Sequence, residues 1–167
     1  MLAEAVCQAG GGYMVLMDAD DLVSRHLARF IRNDDNRLGY SIQQGYIWNI
    51  QRGYFYKVND FPRHCGSCSV FYLEPTDLTN GAEGLIQGIY TTSHTNLAGM
   101  SESKGRPLAS VPFPAMIYLR HHGENFSIRS RPSHRLTRLR NHIVRLWRLI
   151  WPRTLPSRDV SMEFVIQ

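Results

Sequence analysis

The sequence predicts an α/β fold, a small sheet flanked by helices with a β-hairpin insertion and a C-terminal basic amphipathic helix, and three patterns carry that expectation. Residues 13–17 (Tyr-Met-Val-Leu-Met) are an unbroken apolar run, as in a strand buried on both faces of an α/β sheet. Residues 39–50 and 53–58 alternate aromatic or aliphatic with polar side chains on either side of Gln51-Arg52-Gly53, the pattern of an antiparallel hairpin. Leu136, Leu139, Ile143, Leu146, Trp147 and Ile150 fall on one helical stripe, with Arg135, Arg138, Arg140, Arg145 and Arg148 on its flanks and opposite face.

In chain order, residues 2–9 combine helix formers with apolar spacing, and Gly10-Gly11-Gly12 stops them as a helix end followed by a turn. Strand 13–17 comes next. Ser24 can cap a helix over about 25–32, which ends near Asn33-Asp34-Asp35-Asn36, short polar side chains that favour a turn. After the hairpin come a strand at 69–73, a loop from Pro75 to Gly81 and a helix over about 82–90. Pro107, Pro112 and Pro114 bracket extended chain, and residues 115–119 (Ala-Met-Ile-Tyr-Leu) read as a further apolar strand. A helix covers 133–150 until Pro152 and Pro156 end it. The organisation expected is one domain over 1–132, the amphipathic helix at 133–151 and a tail over 152–167.

Composition limits what such a chain does. With 167 residues, 43% hydrophobic and 20% charged, it has the core-forming content of one globular domain, which argues against global disorder. The net charge of +5 comes from basic residues crowded after Arg129, so it belongs to a terminal segment and not to a nucleic-acid-binding face. No apolar run reaches the roughly 18 residues of a membrane helix, and Met1 opens no secretory leader. Three cysteines, Cys7, Cys65 and Cys68, form no even disulfide framework, and a reducing cytoplasm is the expected location.

The chemistry concentrates where strand 13–17 runs into Asp18, Asp20 and Asp21. Ligands in α/β sheets bind at the carboxyl ends of strands, and two aspartates one residue apart can direct oxygens at one hard cation. Mg²⁺ or Mn²⁺ held by few carboxylates completes its shell with substrate phosphates. A solvated turn or helix cap is the plainer reading of Asp-x-Asp, and the strand before and helix after favour the metal site. Cys65-Gly66-Ser67-Cys68 lacks the second pair of a zinc site and the helix start of a redox site, so it reads as a tight loop entering the strand at 69–73.

These residues carry a resemblance. Gly12-Tyr-Met-Val-Leu-Met-Asp-Ala-Asp-Asp-Leu-Val-Ser24 resembles the central segment of GT-A glycosyltransferases of the family 2 type, in which a helix and a buried strand lead to an Asp-x-Asp that binds the metal of a nucleotide-sugar. Gly105-Arg-Pro-Leu108, Pro112-Phe-Pro114, Tyr118 and Gly123-Glu-Asn-Phe-Ser127 resemble the closing segment of a bacterial subgroup of such proteins, and most of residues 2–151 is covered. The resemblance implies a partial GT-A (Rossmann-like) sheet, with 1–132 as the C-terminal part of the domain and the N-terminal nucleotide-binding half absent. It implies metal-dependent transfer of a sugar from a nucleotide-sugar donor to the hydroxyl of a saccharide or lipid-linked acceptor, in bacterial surface polysaccharide synthesis. Asp18 would then reach the ribose or the metal and Asp20 the metal, Mn²⁺ or Mg²⁺, while Asp21 would cap the following helix. His121 or His122, just after the last apolar strand, would supply a third ligand unless both are simply exposed on a loop. The acidic base expected on the acceptor side has no unique place among Asp60, Glu74, Asp77 and Glu83; His94 is the candidate substitute, with a locally hydrogen-bonded loop histidine as the alternative.

The basic helix at 133–151 can pack on its own domain or lie on an anionic membrane, there at the inner face, and its aromatics are not interleaved as a nucleic-acid stacking platform. Two rivals remain for the whole chain. A metal-dependent phosphohydrolase also places Asp-x-Asp after a buried strand, but would want a downstream lysine and a second acidic pair, which Lys57, Lys104 and the sparse carboxylates supply poorly. A non-catalytic truncated remnant would keep the metal site without the nucleotide pocket. If the chain begins in mid-fold, strand 13–17 carries an unpaired edge, and self-association is expected.

Overall fold

Residues Leu2–Gln8 form α1, which buries Ala3 and Cys7 and ends as the glycines require. Gly11 N donates to Val6 O and Gly10 N to Cys7 O, both at 3.0 Å, closing the helix with Gly10 in the left-handed region at φ 99°. A Cβ on Gly11 would stand 2.7 Å from Leu73 O, so this turn also needs glycine for space. The computed structural model describes residues 2–50, 53–79, 84–120 and 156–164. The amphipathic helix expected over 133–151, His121, His122, Glu83 and the Gly123–Ser127 segment lie outside the described residues. Among the described residues no helix is long and apolar enough to cross a membrane.

The fold is mixed α/β, two mixed sheets flanked by helices. In the first sheet, β1 (Gly12–Val15) pairs antiparallel with β6 (Ser69–Leu73), β6 pairs antiparallel with β3 (Tyr40–Ser41), and β3 pairs parallel with β7 (Ala109–Ser110). In the second, β2 (Leu22–Val23) pairs antiparallel with β8 (Met116–Arg120), β8 lies parallel to β4 (Gly45–Asn49), and β4 pairs antiparallel with β5 (Tyr54–Val58). Helix α2 (Leu27–Asp34) follows β2, α3 (Leu85–Thr91) and α4 (Leu97–Ser103) precede β7, and α5 is Arg158–Glu163.

Several boundaries correct the sequence reading. The apolar run does meet packing on two faces, since Met14 and Leu16 join the cluster of α1, α3 and α4 while Tyr13 and Val15 join that of α2 and β8. It nonetheless lies at a sheet edge, pairing stops at Val15, and Met17 is 46% exposed. The hairpin is real from Gly45 to Val58, but Tyr40–Ser41 belongs to the first sheet and the hairpin is built into the second by β8, so it is no isolated insertion. Gly45 lies so close under the Phe61 ring that no Cβ fits there. Helix α2 starts at Leu27 and not at 25; Ser24 Oγ accepts from His26 N at 3.1 Å in the turn before it. The expected turn at its end is present, with Asp35 in the left-handed region at φ 47°. The span read as a tail contains α5, and Ser24 Oγ donates to Glu163 Oε1 at 2.6 Å while Phe164 is buried near the Tyr46 ring.

The strand directions decide where a site can form. With β6 reversed, β1, β3 and β7 run the same way, and their carboxyl ends gather where β6 begins. The Asp18–Asp21 turn, the Cys65–Cys68 loop and Ser41 all lie at that end.

Candidate functional site

The turn after β1 is tied to the loop before β6 by a short chain of hydrogen bonds. Asp18 N donates to Ser67 Oγ at 3.0 Å, and the same hydroxyl donates to Asp21 Oδ2 at 2.6 Å. Cys65 Sγ donates to that oxygen at 2.8 Å, and Ser67 N donates to Cys65 Sγ at 3.3 Å. Asp21 N closes the turn on Asp18 O at 3.1 Å. Asp21 is therefore not the cap of α2; it is a buried carboxylate, 4% exposed, that locks its turn to one loop through residues 44 and 46 positions away in sequence. Its Oδ1 is buried without a hydrogen-bond partner among the described residues.

Burial is the main reason that Asp21 holds its proton more tightly than an ordinary carboxyl. Hydrogen bonds from Cys65 and Ser67 oppose the shift, and the charges of Asp18 and Asp20 add to it. Cys65 is pushed far above the usual thiol range, first by burial and then by its bond to Asp21. Its thiol is the donor in that bond and acts here as a tie between the two segments. The Cys-x-x-Cys segment is a tight loop entering β6, as its sequence suggests, with both thiols free and buried.

Asp18 is exposed and Asp20 half-buried at the edge of this locked turn. Hard oxygens, mutual repulsion and one orphaned acceptor behind them fit a hard divalent cation such as Mn²⁺ or Mg²⁺. Among the described residues no three His, Cys, Asp or Glu side chains converge as a ligand group, and His121 and His122 lie outside that set.

On the other side of the Cys65–Cys68 loop a cleft of about 200 Å³ opens at the carboxyl end of β3. Ser41, Gln43, Cys68 and Ser69 line it from the sheet, Asp60, Pro62 and Arg63 from the turn after β5, and His94, Thr95 and Ala98 from the start of α4. His94 opens a 3-10 turn, is exposed, and accepts Cys68 Sγ at its carbonyl, 3.7 Å away. Of the acidic base candidates Asp60 reaches this cleft, where its Oδ1 lies 3.3 Å from His64 Nε2. Glu74 and Asp77 do not. They sit at the opposite end of β6, where Arg106 binds Glu74 Oε2 at 3.2 Å, Asp77 Oδ2 at 3.1 Å and Tyr72 O at 2.9 Å. Arg106 thus gives the Gly105–Leu108 segment a structural task.

Sequence reading missed the roles of Cys65 and Ser67. The available signal was a pair of small polar donors opening a strand that pairs with the one delivering the aspartates. No family model matches the chain, and it has no significant match among curated proteins or solved structures.

Proposed function

We propose that the chain is a metal-dependent glycosyltransferase, or the acceptor-side part of one, moving a sugar from a nucleotide-sugar to a hydroxyl acceptor. The observation that carries the reading is the turn after β1, where the buried Asp21, hydrogen-bonded by Ser67 and Cys65, fixes the backbone that carries Asp18 and Asp20 at the carboxyl end of the strand. Asp20, and Asp18 with it, would hold Mn²⁺ or Mg²⁺, and Asp18 also has the ribose in reach on this reading. The bound cation supplies charge stabilisation to a leaving diphosphate. The protein's share is to fix the two carboxylates through the Ser67 bridge and to seat the acceptor in the cleft beyond the same loop. There His94 or Asp60 would take the hydroxyl proton. The setting we assign is the cytoplasm, at the inner face of the membrane, in polysaccharide assembly, with a saccharide or lipid-linked acceptor, the basic 133–151 segment touching lipid headgroups, and no nucleic-acid partner.

Calorimetric titration of Mn²⁺ into the wild type and Asp20→Ala tests the metal site. Binding by the wild type and its loss in the variant are expected; equal binding by both removes the site. Incubation with a panel of nucleotide-sugars and Mn²⁺ then separates an enzyme from a non-catalytic remnant, which would bind metal and turn over nothing.

A further inference from the structure

We infer that the cleft beyond the Cys65–Cys68 loop binds one small, neutral, polyhydroxylated molecule, a single sugar ring, with Ser41 and Ser69 as its floor. Ser41 and Ser69 are direct partners across the antiparallel β3–β6 ladder, so their side chains leave the same face of the sheet. Both are buried, at 4% and 3% exposure, yet both line the cleft. Hydroxyls held there could have been apolar, as their strand neighbours Ile42 and Val70 are. Gln43 is oriented beside them by its own bond, Nε2 donating to Ser41 Oγ at 2.7 Å, which leaves its amide oxygen as an acceptor.

The lining chooses between ligand classes. Asp60 and Arg63 contribute one charge of each sign, and Asp60 already has His64 beside it, so the cleft favours no net ligand charge. A carboxylate accepts hydrogen bonds only and a phosphate brings net negative charge, so what either gains from Arg63 is opposed by the Asp60 carboxylate and the Gln43 oxygen. A sugar ring presents hydroxyls that donate and accept at once, which suits serine, threonine and amide groups of both kinds. The volume of about 200 Å³ admits one such ring and not a dinucleotide. This deepens the glycosyltransferase reading, on which it rests for the role of acceptor, but the binding itself needs neither metal nor turnover.

The test is a titration of the full chain with glucose, galactose, N-acetylglucosamine and, separately, inorganic phosphate, followed by backbone amide NMR without added metal. Saturable shifts by at least one sugar, centred on residues 41–43, 67–69 and 94–98, are expected. Gln43→Ala should weaken that sugar about three- to tenfold, the loss of one hydrogen bond, and the exposed Thr95→Val gives a second variant should Gln43→Ala misfold. Asp20→Ala should leave the sugar shifts unchanged, so that failure of the metal site and failure of the cleft are read apart. Shifts by phosphate with none by any sugar would overturn the assignment, as would sugar shifts located elsewhere.

Discussion

Ser67 Oγ is the atom on which the site's geometry turns, because it accepts from Asp18 N and donates to Asp21 Oδ2. Ser67→Ala removes both bonds and leaves a buried carboxylate with one donor fewer, at a cost of about 1–3 kcal/mol in unfolding free energy. Mn²⁺ affinity should fall with it, and Cys65→Ser, which keeps a donor to Asp21, should retain more affinity than Cys65→Ala; calorimetry and denaturant melts on the three variants measure both. Asp21 itself makes a prediction with pH. Its carboxyl pKa is raised in the folded chain, chiefly by burial, so its contribution is favourable below the unfolded value and is lost as pH rises through the folded one. Asp21→Asn cannot ionise, so relative to it the wild type should lose ground as pH climbs above the ordinary carboxylate range, and regain it in acid. Thermal melts of the pair across that range check the sign, and a constant gap between them would show that Asp21 does not titrate as argued. None of this was legible in the sequence, where Asp21 is one more acidic residue before a helix and its partners lie more than forty positions away.

At the scale of elements, legibility followed periodicity. The strand at 69–73 was readable to the residue, because Val70 and the pair Phe71 and Leu73 serve opposite clusters of the core and leave an unmistakable apolar run. Helix α4 was not readable: Leu97-Ala-Gly-Met-Ser-Glu-Ser buries only Leu97 and Ser101, and Gly99 and two serines speak against a helix. Gly99 has nothing within 4 Å of a prospective Cβ, so Gly99→Ala should stabilise the chain by about 0.4–1 kcal/mol. Gly39 is the contrary case. It sits at φ 97°, a Cβ there would strike Val70 O, and Leu108 closes the space at 3.0 Å. Gly39→Ala should therefore cost at least ~1–3 kcal/mol, displacing β3 from β6 and with it the Ser41–Ser69 pair. Denaturant melts of the two alanine variants should move in opposite directions, and a stabilising Gly39→Ala would mean that the turn into β3 is not held as described.

At the scale of the molecule, the two sheets end, among the described residues, in four edge strands that differ in how well they resist pairing with another chain. β2 and β7 are two residues long, and β5 carries the exposed Lys57, both of which discourage edge-to-edge addition. β1 has neither protection: Gly-Tyr-Met-Val is uncharged, pairs on one side with β6, and is followed by the exposed Met17. The apolar run of residues 13–17 reads as a strand buried on both faces; that it lies at an edge, because the reversed β6 leaves β1 outermost, appears only in the topology. The chain should self-associate through β1. Sedimentation velocity across micromolar concentrations should show an average mass that rises with concentration, and Met17→Lys, which places a charge beside the open edge, should lower it. Because Met17 points to no described cluster of the core, the variant should unfold at the same denaturant concentration as the wild type. A wild type that stays a single monomeric species would mean that the β1 edge is covered within the chain itself. An association indifferent to Met17→Lys would move the contact to other exposed apolar side chains, such as Leu2 on α1 or Ile50 and Tyr56 on the hairpin.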